Sequence, residues 1–172
     1  QMIDTRHRLG AVLAALSLTA SVYAQAPATP PTPPPPLPYG PSISLAAAKE
    51  CVAAARAAAE KNEWFMVVTV VDPGGHEVLV ERMDNAMFGS VEPARQKAYT
   101  AVAFRRSTKI FEDMVASGGS ALRILRLPEA LPIEGGLPIV SNGQIVGAVG
   151  TSGGSAQQDG VVAQACVDAL AK

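Results

Sequence analysis

Histidine and cysteine are scarce here, with two of each in 172 residues. Two cysteines cannot staple a small scaffold, and they form no C-x-x-C pair of the kind that binds zinc or runs thiol redox chemistry. Aromatic residues make up 5% of the chain, too few for the stacking platform that holds single-stranded nucleic acid. Positive charge is not in excess: 14 Lys and Arg against 15 Asp and Glu leave a formal net charge of −1. That excludes the basic surface a phosphate backbone requires. The G-x-S-x-G turn of a serine hydrolase is missing, as are the G-K-[ST] ending of a phosphate loop and a G-x-G-x-x-G following a strand.

Proline is the residue in surplus, and its placement divides the chain. Nine of the 14 prolines lie between residues 27 and 41. Before them, Arg6, His7 and Arg8 precede an apolar stretch from Leu9 to Ala20, and Ser21-Val22-Tyr23-Ala24 puts small or aliphatic residues where a signal peptidase inspects the chain. Residues 1–24 therefore read as a signal peptide cut after Ala24, which places the mature protein in the periplasm or outside the cell. The apolar stretch falls short of the ~20 residues needed to span a bilayer, so no membrane span is expected after cleavage. Residues 25–41 read as a proline-rich linker in extended polyproline conformation. Residues 42–172 form the folding unit, with 12 Lys and Arg against 14 Asp and Glu and enough length to bury a core.

Within that unit, Leu45 to Lys61 has the alanine content of a helix, capped by Ser44. Trp64 to Val71 is a nearly unbroken apolar run rich in β-branched residues, expected as a central strand covered on both faces. Asp72-Pro73-Gly74-Gly75 turns the chain into a second strand from His76 to Arg82. A helix capped by Ser90 continues to about Arg105, and a shorter one spans Lys109 to Ala116. Pro128 and Pro132 argue against a continuous helix over 120–134. Leu137–Val140 and Gln144–Thr151 pair around Asn142-Gly143, and Ser155 with Gln158 forms a capping box that opens the last helix. The order α-ββ-α-α-ββ-α, with hairpins instead of β-α-β units, predicts an antiparallel sheet with helices packed on it.

Few residues could carry chemistry. His76 is the only histidine left after signal cleavage; it is either an exposed turn residue or a ligand to haem iron or another metal. Met83 and Met87 are further potential iron ligands or simply packing residues. Lys97 borders the apolar stripe Ala94, Ala98, Ala101 and Val102, so its ammonium either snorkels to solvent or meets a carboxylate in a cleft. The glycines at 135–136 and at 147, 150, 153 and 154 allow close approach of a ligand or a neighbouring subunit, or serve tight turns and packing. The second group ends at the Ser155 cap, where free amides could hold an anion. Cys51 and Cys166, on the first and last helices, either pair in an oxidising compartment or are buried singly as small apolar residues.

The ordered series Val71-Asp72-Pro73-Gly74-Gly75, Arg82-Met83-Asp84-Asn85-Ala86, Ser90 with Ala94, Lys97, Ala98, Thr100 and Ala101, Gly135-Gly136-Leu137-Pro138-Ile139, Gly147 to Gly153 and Gln158-Asp159 resembles the GlcG/HbpS-like haem-binding family. It is also similar to the C-terminal domain of PduO-type corrinoid adenosyltransferases, whose catalytic part is absent here. Asn85 stands where the family pattern has glycine, a mild departure because asparagine tolerates left-handed backbone. The resemblance implies a three-layer α/β/α, profilin-like fold with a central antiparallel sheet, an α+β arrangement. It also implies homo-oligomers and haem as ligand. On that basis the pocket is expected between the Arg82–Lys97 region and the glycine-rich segment, with Arg82, Arg95 and Lys97 receiving propionates. Thr100, Gly135, Gly136 and Gly153 would line it. The motif does not fix an iron ligand; from side-chain chemistry alone His76, then Met83, would ligate iron. The alternative is a binding protein, sensor or enzyme for a small organic carboxylate held by Lys97 and the glycine-lined helix terminus.

Overall fold

The computed structural model describes residues 35–171. The expected signal peptide and the first part of the proline-rich segment lie outside these residues. Helix α1 (Leu45–Lys61) begins at Ser44, whose hydroxyl accepts the Ala47 N–H. Strands β1 (Val67–Val71) and β2 (Glu77–Arg82) form the first hairpin. A 3-10 turn (Phe88–Ser90) leads into α2 (Val91–Phe104), and α3 (Thr108–Ala116) follows. Gly119–Arg126 is 3-10 helix, the compromise reached by a segment that Pro128 stops from continuing. Strands β3 (Gly136–Ser141) and β4 (Gln144–Ser152) make the second hairpin, and α4 (Ala156–Leu170) opens on the expected capping box of Ser155 and Gln158.

All strand pairs are antiparallel, in the order β2-β1-β4-β3. The sheet has helices on both faces, as the hairpin order predicts. Alternation along β1 sorts the core. Val68 and Val70 join Val52, Ala55, Val162 and Ala163 in the layer of α1 and α4, whereas Val71 packs with Ala98, Ala101 and Val102 of α2. Every residue of β1 is buried, which is why the run reads as continuously apolar instead of alternating. The strand starts three residues later than expected: Trp64 packs against the edge of the core, and Phe65 is half exposed before the ladder begins.

Cys51 and Cys166 are fully buried and joined in a disulfide that ties α1 to α4 across 115 residues. Of the two readings left open by the sequence, the bond is the one observed. No helix among the described residues is long and apolar enough to cross a membrane.

The end of the proline-rich segment docks on the domain. β1 reaches only to Ala148 of β4, leaving the edge at Ile145 open, and Tyr39 bridges to it in parallel. Gly40 N–H donates to Ile145 O at 2.8 Å, and Ile145 N–H donates to Pro38 O at 2.9 Å. The Tyr39 hydroxyl donates to Val102 O at 2.8 Å, and the Arg105 guanidinium lies 5.2 Å from the ring centre. Leu37–Gly40 thus act as a short extra strand instead of a free spacer.

Candidate functional site

The strand register gathers the chemistry-bearing segments at one end of the sheet. Val67 at the start of β1 faces Arg82 at the end of β2 and Ser152 at the end of β4, and Gly136 at the start of β3 faces Gly150. The first turns of α2 and α4 lie at the same end. The Asp72–Gly75 turn is at the other. Six residues of β2 at ~3.3 Å each put roughly 20 Å between His76 and Met83.

A two-lobed groove opens at the gathered end. One lobe, about 420 Å³, is bounded by Arg56, Glu81, Arg82, Asp84 and Asn85; the other, about 510 Å³, by Glu63 and Trp64. Glu60, Phe65 and Met83 line both. Phe65 is half exposed, and the Met83 sulfur accepts the Met66 N–H at 3.5 Å. Arg56 is committed to Glu81 at 3.2 Å and Glu60 at 3.7 Å. Arg82 has no carboxylate partner among the described residues: it donates to Ala86 O and lies 4.9 Å over the Phe88 ring. An apolar wall, a soft sulfur and one guanidinium without a carboxylate partner therefore meet in an open groove. A smaller cavity of about 290 Å³ lies between Pro41, Ala47 and Ile139, and no charged residue lines it.

At the same end of the sheet is a buried ion pair. Lys97 and Asp159 are each 2% exposed. The Lys97 ammonium leaves α2, passes the start of β3 and donates to Asp159 Oδ2 at 2.6 Å and Thr151 O at 3.1 Å. Small residues make this path possible. A Cβ at Gly135 would lie 3.0 Å from Lys97 Nζ and 2.8 Å from Thr151 O, and one at Gly136 would lie 2.3 Å from Lys97 O. The second Asp159 oxygen accepts the Gly154 N–H at 3.0 Å. Burial pushes the Asp159 carboxyl above its ordinary value, against the pull of Lys97 and the amides of Gly154 and Gly153. Gly153 and Gly154 in turn pack on the strand entry: a Cβ on Gly153 would come within 2.3 Å of Phe65 O.

These contacts revise several assignments. Lys97 meets a carboxylate, one of the two readings open from spacing, but that carboxylate is the protein's own. With its ammonium buried and satisfied, Lys97 is not placed to receive a propionate, and the anion seat near the Ser155 helix terminus is filled by Asp159. Arg95 is engaged by Glu92 on the surface of α2, with Nη2 2.6 Å from Oε1. Thr100 is buried; its hydroxyl donates to Gln96 O and accepts the Leu131 N–H at 2.8 Å, so it pins the 127–134 segment. His76 has a side chain 83% exposed, with Nδ1 3.3 Å from Asp72 Oδ1. It is the exposed turn residue, away from Arg82, Met83 and the glycines. No group of three or more His, Cys, Asp or Glu able to hold a metal ion occurs among the described residues. Asp72 shapes the turn instead: although burial opposes it, amides of His76 and Gly74, together with the His76 ring, hold its carboxyl below the usual value.

Trp64 and Phe65 line the groove but were not singled out in the sequence, and Asp159 entered there only through the family resemblance, without a role. Asp159 immediately follows the capping box, and an acidic residue in a first helical turn reads equally well as dipole compensation. Trp64 and Phe65 are absorbed into the apolar run of β1.

Comparison with known proteins places this geometry among relatives. Residues 43–168 match the family model described as haem degrading protein HbpS-like. Protein GlcG of Escherichia coli K12 is 40% identical over 105 residues, covering 61% of this chain and 77% of GlcG. A crystal structure of a Streptomyces reticuli HbpS double mutant superposes with a TM-score of 0.71 at 30% identity, covering 85% of this chain and all of that one. The crystal structure of a PduOC:heme complex gives a TM-score of 0.69 at 31% identity, covering 76% and 96%.

Proposed function

The chain belongs to the HbpS-like family, and from that premise we propose that it is an exported haem-binding or haem-handling protein that seats haem in the groove between Phe65 and Arg82. The observation that carries this reading is the meeting of Trp64, Phe65 and Met83 with Arg82 at one opening. A porphyrin needs an apolar face to lie on, a donor atom near its centre and a cation for its propionates. The groove supplies all three kinds of group from this chain's own residues. Phe65 and Trp64 would flank the ring, Arg82 would take a propionate, and Met83 would offer a thioether, a known donor to haem iron. Haem supplies an iron centre whose reactivity depends on its ligands and on solvent access. The protein's part is to orient the ring and shield one face.

The relatives support the ligand class: the family model carries the words haem degrading, and one structural neighbour is a haem complex. Export is supported by the buried Cys51–Cys166 disulfide, since such bonds persist in oxidising compartments. Cleavage after Ala24 and a homo-oligomer are part of the same reading. Exposed Ile110, Met114, Leu122, Leu125 and Ile133 offer apolar surface for subunit contacts.

Titration of the full chain with haemin, followed in the Soret region, tests the proposal. A saturable shift in the unaltered protein that is weakened or spectrally altered in Met83→Ala is the expected result. The absence of any saturable shift in the unaltered protein would overturn it.

A further inference from the structure

We propose that Lys97 and Asp159 are positioning residues for the groove: they hold the Gly153–Gly154 segment against Phe65 and Met66 and touch no ligand themselves. This rests on the groove reading above and assigns the buried pair a role in it. The path is continuous. Lys97 Nζ binds Asp159 Oδ2 at 2.6 Å, and the other carboxylate oxygen takes the Gly154 N–H at 3.0 Å. Gly153 is packed so closely on the start of the sheet that any side chain there would meet Phe65 O and Met66. Met66 N–H is bonded to the Met83 sulfur, and Phe65 and Met83 line both lobes.

A buried ion pair contributes little net stability, because the cost of removing two charges from water cancels much of their attraction. What it does supply is direction. Lys97 fixes one carboxylate oxygen, and the carboxylate is then aimed at the backbone amides of Gly154 and Gly153. The ammonium also donates to Thr151 O, and Thr151 N–H donates to Gly135 O at 2.9 Å. The ends of β3 and β4 are thereby held in the same cluster. Groups hydrogen-bonded directly behind metal ligands alter affinity about 10- to 100-fold when removed, and that sets the scale for this more remote pair.

The test separates positioning from both stability and ligand contact. Lys97→Met, Asp159→Asn and the double variant K97M/D159L are titrated with haemin, their melting temperatures are measured, and amide hydrogen exchange at Gly154 is followed by NMR in the ligand-free protein. We expect haemin affinity to fall about 10- to 100-fold in all three variants, with faster Gly154 exchange in each. The double variant should melt at or above the unaltered protein, since an apolar pair replaces a buried charged one, and should still bind poorly. Wild-type affinity in K97M/D159L would show the pair to be structural only and overturn the proposal. Loss of affinity in Lys97→Met with full affinity in Asp159→Asn would show direct ligand contact by Lys97 and overturn it equally. If the unaltered protein binds no haemin, the groove reading fails by itself; Gly154 exchange then decides whether the pair holds the segment, and unchanged exchange in every variant rejects the positioning role.

Discussion

At the scale of single residues, Asp159 and Lys97 show how little composition says about a charge. Lys97 reads from the sequence as either solvated or facing a carboxylate, Asp159 only as part of the family resemblance, and both are buried to 2%. Removing one partner leaves an uncompensated charge, so Lys97→Met should cost about 3–5 kcal/mol in denaturant unfolding. The pH dependence has a definite sign. The folded state raises the Asp159 carboxyl above its reference value of 3.8, so the native protein holds that proton more tightly than the unfolded chain does. The associated stability is fully present below the unfolded value and is lost as pH rises through the folded one. Urea melts should therefore show the stability of the unaltered protein relative to Asp159→Asn falling from about pH 4 upward. A relative stability that rises over that window would mean the ion pair outweighs burial. His76, the candidate ligand that scarcity alone selects, sits on a turn with its ring in solvent; counting residues identifies it but cannot place it.

At the scale of elements, glycine and cysteine set how closely the layers approach. The α2 backbone lies directly over β3 and β4: a Cβ on Gly136 would fall 2.3 Å from Lys97 O, and one on Gly150 would fall 2.1 Å from Ala94 O. Because these neighbours are helix backbone, they cannot rotate aside. Gly136→Ala should lose about 1–3 kcal/mol or more in thermal or chemical melts, although alanine is ordinarily a mild replacement. On the opposite face the disulfide joins α1 to α4. A loop of 115 residues corresponds to about 4–5 kcal/mol in the chain-entropy picture. The variant C51A/C166A should lose about 2–5 kcal/mol and no longer respond to reductant. An unchanged midpoint would show that the bond constrains the unfolded chain little. The capped helix starts at Ser44 and Ser155 and both hairpins were legible because their signals are local: side-chain caps and turn residues act within four positions. The irregular segment at 127–134 was not, since a long-range bond holds it: the Thr100 hydroxyl accepts the Leu131 N–H.

For the whole molecule, topology decides which candidates meet. Antiparallel pairing in the order β2-β1-β4-β3 sends Arg82, Met83, Gly136 and Gly153 to one end of the sheet and the His76 turn to the other. The fold class follows from the hairpin sequence and the family resemblance, and it is the one observed. Arg82 and Met83, which line the groove, were legible as candidates because they flank a strand end. The Lys97–Asp159 link was not, because it joins residues 62 apart in the chain and carries no local pattern. Phe65 was hidden for a different reason: an apolar run does not reveal which of its residues turns outward. Tyr39 docks near the start of β4, at the end of the sheet opposite the groove. Haemin titration of Phe65→Glu beside His76→Ala tests the location of the site most directly, since both side chains are exposed and neither change disturbs the core. Binding should be lost or weakened at least about tenfold in Phe65→Glu, where a carboxylate faces the propionate-bearing ring, and should persist in His76→Ala. Retention of binding in Phe65→Glu together with its loss in His76→Ala would place the ligand on the turn and refute the groove.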